Sequence, residues 1–319
     1  MANNYIQPRK AATFFFYVLG ISIIVYLVAR LPFNDLLEVI STIGIEALWL
    51  VVFPMIWVIP YSMTLRVLLE NTITFKQALF TQISGDAFNS ITPLVGMGGE
   101  PYKAKYLSRF VPITDSSRAI IQSRLLHALS GVIYTAMVIG ACLYYFSLNS
   151  IPGLRLGLWC VLISMIIVAI LLVWLTMSRA PSRFSGLILS KFKLIEDIAY
   201  DKLSWKKLLH GTSYRLLGRC GKFLELYLIF IILDVTPKFT DTVLVEGMIM
   251  ASVSIFFFIP NGLGVNEAGI ATALSITGYS AALGVVFGLI RRARMVIYAL
   301  IGLVFYLLSK LYYSRQNTD

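Results

Sequence analysis

Two stretches decide how this chain is read: Ile91-Thr92-Pro93-Leu94-Val95-Gly96-Met97-Gly98-Gly99-Glu100 and Phe258-Ile259-Pro260-Asn261-Gly262-Leu263-Gly264-Val265-Asn266-Glu267. In each, an apolar helix end meets a proline, then glycines, then a glutamate seven positions after the proline. Proline lacks the N–H that a helix interior needs, and clustered glycines favour a break. The apolar approaches, Ala78 to Pro93 and Val243 to Pro260, therefore read as helices that stop inside a membrane. The register runs on: Arg124 follows Glu100 after 24 positions and Arg291 follows Glu267 after 24 positions, so one offset of 167 superposes proline, glutamate and arginine. A repeat of this kind says more about architecture than any single motif.

Composition gives the solvent. Of 319 residues, 58% are hydrophobic and 13% charged, against roughly 25% charged in a soluble domain. An ordinary water-soluble globule is excluded. Thr13 to Ala29, with no small-residue cleavage site behind it, reads as a retained first span. Ala47 to Leu69, Ile120 to Phe146, Leu156 to Met177, Tyr214 to Leu233 and Met295 to Leu308 are further apolar runs. A span takes about 20 such residues, so the fold class is an all-α polytopic membrane protein with about six spanning helices and two re-entrant helical hairpins.

The balance of 27 basic to 16 acidic residues, a net charge of +11, is read through its placement and not as a nucleic-acid footprint. Loop 178–213 carries seven lysines and arginines against three acids, and segment 100–118 holds Lys103, Lys105, Arg109 and Arg118; both belong in the cytoplasm. Loop 31–46, with Asp35, Glu38 and Glu46 and no basic residue, belongs outside. A full crossing by Ala78 to Pro93 would expose the basic 100–118 segment outside, and a cytoplasm-facing hairpin removes that conflict. Counting spans onward makes the second hairpin open outward. The expected organisation is an inverted repeat: residues 1–150 with a hairpin at about 76–118, and residues 151–319 with a hairpin at about 243–279, both termini cytoplasmic. Inverted repeats with Gly/Pro-interrupted helices are the pattern of secondary transporters.

These residues resemble a known family. Thr92-Pro93 through Gly98-Gly99-Glu100-Pro101 with Lys103 and Lys105, Pro260-Asn261-Gly262-Leu263-Gly264-Val265-Asn266-Glu267-Ala268, and the arginines Arg124 and Arg291 are similar to the lysylphosphatidylglycerol synthase transmembrane-region family, which includes the flippase-like part of multiple peptide resistance proteins. The likeness spans about residues 12–312, with one departure at Asn266, where relatives often carry arginine. The 319 residues show no soluble aminoacyl-transfer domain of the kind the synthases append. The resemblance implies translocation of a membrane phospholipid or polyprenyl-phosphate lipid across a bacterial inner membrane, not lipid synthesis.

The chemistry of the residues points the same way. An ionised side chain at membrane depth costs about 2.5–3.5 kcal/mol on insertion scales and marks a pathway or a pair. Arginine's planar fork suits a lipid phosphate, and glycine-rich tips present backbone N–H groups to an anion. The expected substrate-binding set is Pro93, Gly96, Gly98, Gly99, Glu100, Lys103 and Arg124 from the first motif, and Pro260, Asn261, Gly262, Gly264, Asn266, Glu267 and Arg291 from the second. Each has a bland counterpart. Glu100 and Glu267 have the alternative of helix caps, and Arg124 and Arg291 that of interfacial snorkelling residues, with the functional reading preferred for all four; Arg292 and Arg294 fit snorkelling better. Asp86 and Asn89 either bond across helices or line the path. Arg219 and Glu225 read as an internal pair, and His127 as a satisfied helix residue. Three cysteines at unrelated spacings and two histidines give no disulfide framework, metal motif or cofactor site. No catalytic cluster appears, so the chain reads as a transporter and not an enzyme; the other reading is an accessory subunit or enzyme of lipid-linked glycan or phospholipid modification. No nucleic-acid partner is expected, and a homo-oligomer is compatible with the sequence.

Overall fold

The computed structural model describes residues 48–91, 99–145, 152–177, 203–256, 259 and 262–316. Among these every regular element is a helix, as expected of an α membrane protein. The predicted first span, Thr13 to Ala29, lies outside the described residues. The predicted second span, Ala47 to Leu69, is divided: a helical turn at Trp49–Val52 ends before Pro54, and α1 runs over Met55–Leu68. Pro54 cannot donate, so its carbonyl instead receives the Trp57 and Val58 N–H groups and opens a new helix.

Next come α2 (Phe75–Ile91), α3 (Glu100–Leu107), α4 (Ile113–Tyr145), α5 (Pro152–Met177), α6 (Trp205–Ile232), α7 (Phe239–Ile255), α8 (Val265–Ile276) and α9 (Ala281–Gln316). Helices α4, α5, α6 and α9 cover the remaining four predicted spans. Among the described residues α4 is the one helix that meets a membrane-span test of length and apolarity, with mean hydropathy 1.8. Helix α6 carries Arg215, Arg219, Lys222 and Glu225 along its length, and α9 carries Arg291, Arg292 and Arg294. Those charges are what separate them from a plain lipid-spanning helix. Helix α5 packs Ala169, Leu172 and Val173 on the core and exposes Trp159, Ile163, Ile167, Ile170, Leu171 and Trp174 on one face; an exposed face this apolar is built for a non-aqueous neighbour.

The element order recurs along the chain. Helices α2, α3 and α4 have 17, 8 and 33 residues, and α7, α8 and α9 have 17, 12 and 36. Each trio is a 17-residue helix, a short helix and a long helix. At 1.5 Å per residue a 17-residue arm reaches about 25 Å, short of a hydrocarbon core of about 30 Å.

The described residues fall into two compact units. The first comprises residues 53–86, 99–145, 152–177, 203–222 and 301–316. Its core joins Leu65, Leu69, Leu107, Leu126, Leu129 and Leu208. Here α4 lies against α5, α3 and α1, and Gly218 faces the Tyr61 ring so closely that a β-carbon would collide with it. The second comprises residues 48–52, 87–91, 223–256, 259 and 262–300. In it Phe230 meets Phe287 with ring centroids 5.0 Å apart, and α7 lies against α8. Gly284 lets α9 approach the Ala271 backbone of α8, the small-residue contact typical of membrane helices.

Candidate ion-pair sites at the two helix breaks

In the first unit, Gly99 caps α3, Glu100 is its first residue and Pro101 follows, a position where a missing N–H costs nothing. Glu100 Oε1 lies 3.4 Å from Arg124 Nε on α4, with the side chains 18% and 37% exposed. The other carboxylate oxygen, Oε2, is buried without a hydrogen-bond partner. This is a wide, half-open ion pair. Two residues on, Lys103 turns back to α2, and its Nζ donates to Asp86 Oδ1 at 2.9 Å. Gln82 Nε2 donates to both Asp86 oxygens at 2.8 and 2.9 Å. Gly85 gives room for the buried lysine stem, since a β-carbon there would collide with it. Of the two readings open for Asp86, the structure takes the cross-helix bond.

In the second unit the chain enters α8 through Gly262 at φ +58° and Gly264 at φ +75°, left-handed conformations that glycine adopts without a β-carbon penalty. Glu267, in the first turn of α8, is buried. Its Oε1 accepts from Arg292 Nε at 2.6 Å, its Oε2 from Nη2 at 3.4 Å, and the same Nη2 donates to the Gly262 carbonyl at 2.9 Å. The glutamate side chain is 3% exposed and the arginine 16%. Gly288 on α9 faces Glu267, where a β-carbon would come within 2.7 Å of Cγ. Asn266 sits beside Gly262. One residue thus ties the helix break, the short helix and the long helix together.

The sequence offset aligned Arg291 with Arg124; the arginine paired with Glu267 is its neighbour Arg292. Arg124 stands 11 residues after Ile113, where α4 starts, and Arg292 stands 11 residues after Ala281, where α9 starts. Counted from the glutamate, the long helix starts after 13 positions in the first copy (Glu100 to Ile113) and 14 in the second (Glu267 to Ala281), and on a helix one residue turns a side chain by about 100°. The Arg291 Nε is buried without a hydrogen-bond partner. Neither glutamate caps a backbone N–H: both carboxylates are committed to arginine. Pro93, Gly96, Gly98, Pro260 and Asn261 lie outside the described residues.

Two other expectations change. Glu225 meets Arg294 of α9 at 2.6 Å, not Arg219, so both Arg292 and Arg294 are inward-facing pair members and not snorkelling residues. Arg219 instead faces α4, where Nη2 donates to the His127 carbonyl at 2.9 Å and Nε to Ser130 Oγ at 3.2 Å. At the end of α1, a separate cleft of about 300 Å³ is lined by Glu70, Asp115, Arg118 and Lys207. Its charges close on one another as Lys207–Glu70 at 2.8 Å and Arg118–Asp115 at 3.4 Å. The three cysteines are free thiols.

Helices with exposed apolar surfaces, interrupted by glycine breaks and tied inside by carboxylate–arginine pairs, define a helical membrane domain. The chain belongs to the lysylphosphatidylglycerol synthase transmembrane-region family, whose model matches residues 14–302. No curated protein and no solved structure matches it. Family membership places the protein in a membrane and in lipid-related processes.

Proposed function

We propose that the protein is a lipid translocase, not an enzyme, that carries an anionic or aminoacylated phospholipid, or a polyprenyl-phosphate lipid, across a bacterial inner membrane as an inverted-repeat transporter. The observation that carries this reading is the Glu100–Arg124 pair. A gap of 3.4 Å, an arginine 37% exposed and a carboxylate oxygen with nothing bonded to it describe a pair that can be exchanged. With the site empty, Glu100 balances the guanidinium. A lipid phosphate takes its place through two parallel N–H···O bonds, which are about twice as strong as neutral ones, and Glu100 is released to water or to a proton. The Glu267–Arg292 pair, closed and bonded to the Gly262 carbonyl, serves as a fixed fastening within its own unit. Recurrence of the 17-residue helix, short helix and long helix supports the transporter reading over that of an accessory subunit.

The test is reconstitution into liposomes with a panel of labelled phospholipids. The parent should move at least one phosphate-bearing lipid. Arg124→Lys, which keeps the charge and loses the fork, should reach the membrane at the parent level and slow that movement about tenfold or more, as expected for a charge-assisted bond of about 1.5–3 kcal/mol. Parent-rate movement by a stable Arg124→Lys protein would remove the assignment.

A further inference from the structure

We infer that Arg215, Arg219 and Lys222 of α6, with Tyr61 of α1 and His127 of α4, form a phosphate-binding site separate from the Glu100–Arg124 pair. The three cations recur at intervals of four and three residues and so form one stripe along the helix. Arg215 is buried, Arg219 half-buried and Lys222 exposed, a graded path from the interior outward. Among the described residues the groups they hydrogen-bond or stack on are neutral, and Asp86, itself held by Lys103, is the acid that acts on Arg215 electrostatically. Arg215 Nη2 donates to Ser123 Oγ, and its guanidinium carbon lies 4.6 Å from the centre of the Tyr61 ring. Lys222 Nζ lies 5.7 Å from the Tyr61 ring and 5.8 Å from the Trp57 ring. Arg219 reaches only His127 and Ser130. Among the described residues no carboxylate forms an ion pair with any of the three.

Positive charge in excess of its counter-charge is unfavourable at a site where Arg215 is buried, and the single Asp86 carboxylate, already bonded to Lys103 and Gln82, leaves three cations short of negative partners. The hydrogen bonds show what is missing. His127 Nε2 lies 3.2 Å from Arg219 Nη2; arginine only donates, so Nε2 accepts and the imidazole proton sits on Nδ1. That Nδ1, the Tyr61 hydroxyl and the Arg215 Nε are all buried without a hydrogen-bond partner. Three unfilled donors beside three cations call for an acceptor-only group with several oxygens and more than one negative charge, and a phosphate or diphosphate is that group. Arg124 is next to Ser123 in sequence but bonds Glu100, about 100° around α4. The inference stands whether or not the protein translocates lipid, because its test reads binding.

The full chain, purified and delipidated in a neutral detergent, would be melted at constant ionic strength with chloride, inorganic phosphate or pyrophosphate. Parallel melts would use micelles carrying phosphatidic acid or phosphatidylcholine. We expect phosphate-bearing anions to raise the melting temperature and chloride to leave it unmoved. A shift with pyrophosphate identifies a free-phosphate site; a shift with phosphatidic acid alone identifies a headgroup site. The double variant R215Q/R219Q should lose that shift and, with no anion present, melt above the parent because an uncompensated charge has gone. Arg124→Lys should keep the shift. Should the double variant fail to fold, Lys222→Gln, at an exposed position, should raise the half-saturating anion concentration severalfold. The inference is overturned if no phosphate-bearing probe stabilises the parent, if Arg124→Lys abolishes the shift, or if neither α6 variant changes it.

Discussion

The two glutamate–arginine pairs share one sequence pattern and have opposite physical character. Glu267 is buried, held at 2.6 Å, and its arginine is bonded a second time to the Gly262 carbonyl. Glu100 is held at 3.4 Å by an arginine that is more than a third exposed. A closed, desolvated pair is costly to open, because each charge would be left without water or partner. A wide pair whose arginine is partly exposed is worth less and is more readily exchanged. Duplicated chemistry therefore allows divided labour: the second break is a fastening, the first an exchangeable contact.

The sharpest way to break this contrast is Glu267→Ala. It leaves Arg292 buried and unpaired and should cost about 3–5 kcal/mol in a thermal or denaturant melt. A neutral pair, E267Q/R292Q, should recover much of that loss. Arg291→Gln should cost far less than Arg292→Gln, and equal costs would return the pairing to the offset of 167. Next in size is Gly288→Ala, which drives a β-carbon to 3.3 Å from the Glu267 backbone as well as 2.7 Å from its Cγ. Overpacking of this kind costs about 1–3 kcal/mol, and the equivalent measurement is the same melt.

Glu100→Ala should be milder still in stability, about 1 kcal/mol or less for a half-open pair. Its larger effect should fall on lipid movement in liposomes, with a changed pH profile if Glu100 takes up a proton during exchange. A stability loss as large as that of Glu267→Ala would erase the distinction between the two pairs. The smallest effect belongs to Glu70, on the exposed turn after α1, where the hydrogen bond and charge of Lys207 hold its carboxyl below the usual 4.5. A lowered carboxylate pKa stabilises the fold above that usual value, and the contribution fades as pH falls through the lowered one. Glu70→Gln should therefore leave the melt at neutral pH nearly unchanged and reduce only the part of acid sensitivity below about 4.5.

Much of the fold was legible because it is a matter of solvent and backbone chemistry. Apolar runs, prolines and glycine clusters located the helices and their breaks, since a segment in lipid must satisfy its own N–H and C=O groups. Pro54 is the exception within a run read as continuous: Ala47 to Leu69 carries the apolar signal of one span, but the missing N–H divides it. The family likeness was equally readable from the two motifs, and the family model bears it out over residues 14–302.

Pairing was only half legible. That ionised residues in lipid mark a pathway or a pair follows from the cost of lone charges, and the spacing of 24 singled out Arg124 without naming its partner. Arg215, by contrast, drew no attention in the sequence. The intervals of four and three between Arg215, Arg219 and Lys222 were a visible signal, hidden within a helix whose apolar content dominated its reading.

The sequence by itself determined that this is a helical membrane protein of the lysylphosphatidylglycerol synthase transmembrane-region family, with two glycine-broken motifs each ending in a glutamate. Composition, periodicity and backbone chemistry act locally, and local rules suffice for that much. Only the tertiary structure decided that Glu267 takes Arg292 and not Arg291, that Glu225 takes Arg294 and not Arg219, and that Arg215 and Arg219 of α6 bond to Ser123, Ser130 and His127. A single residue of register turns a side chain by about 100°, so the choice between neighbouring arginines is made by how one helix lies against another.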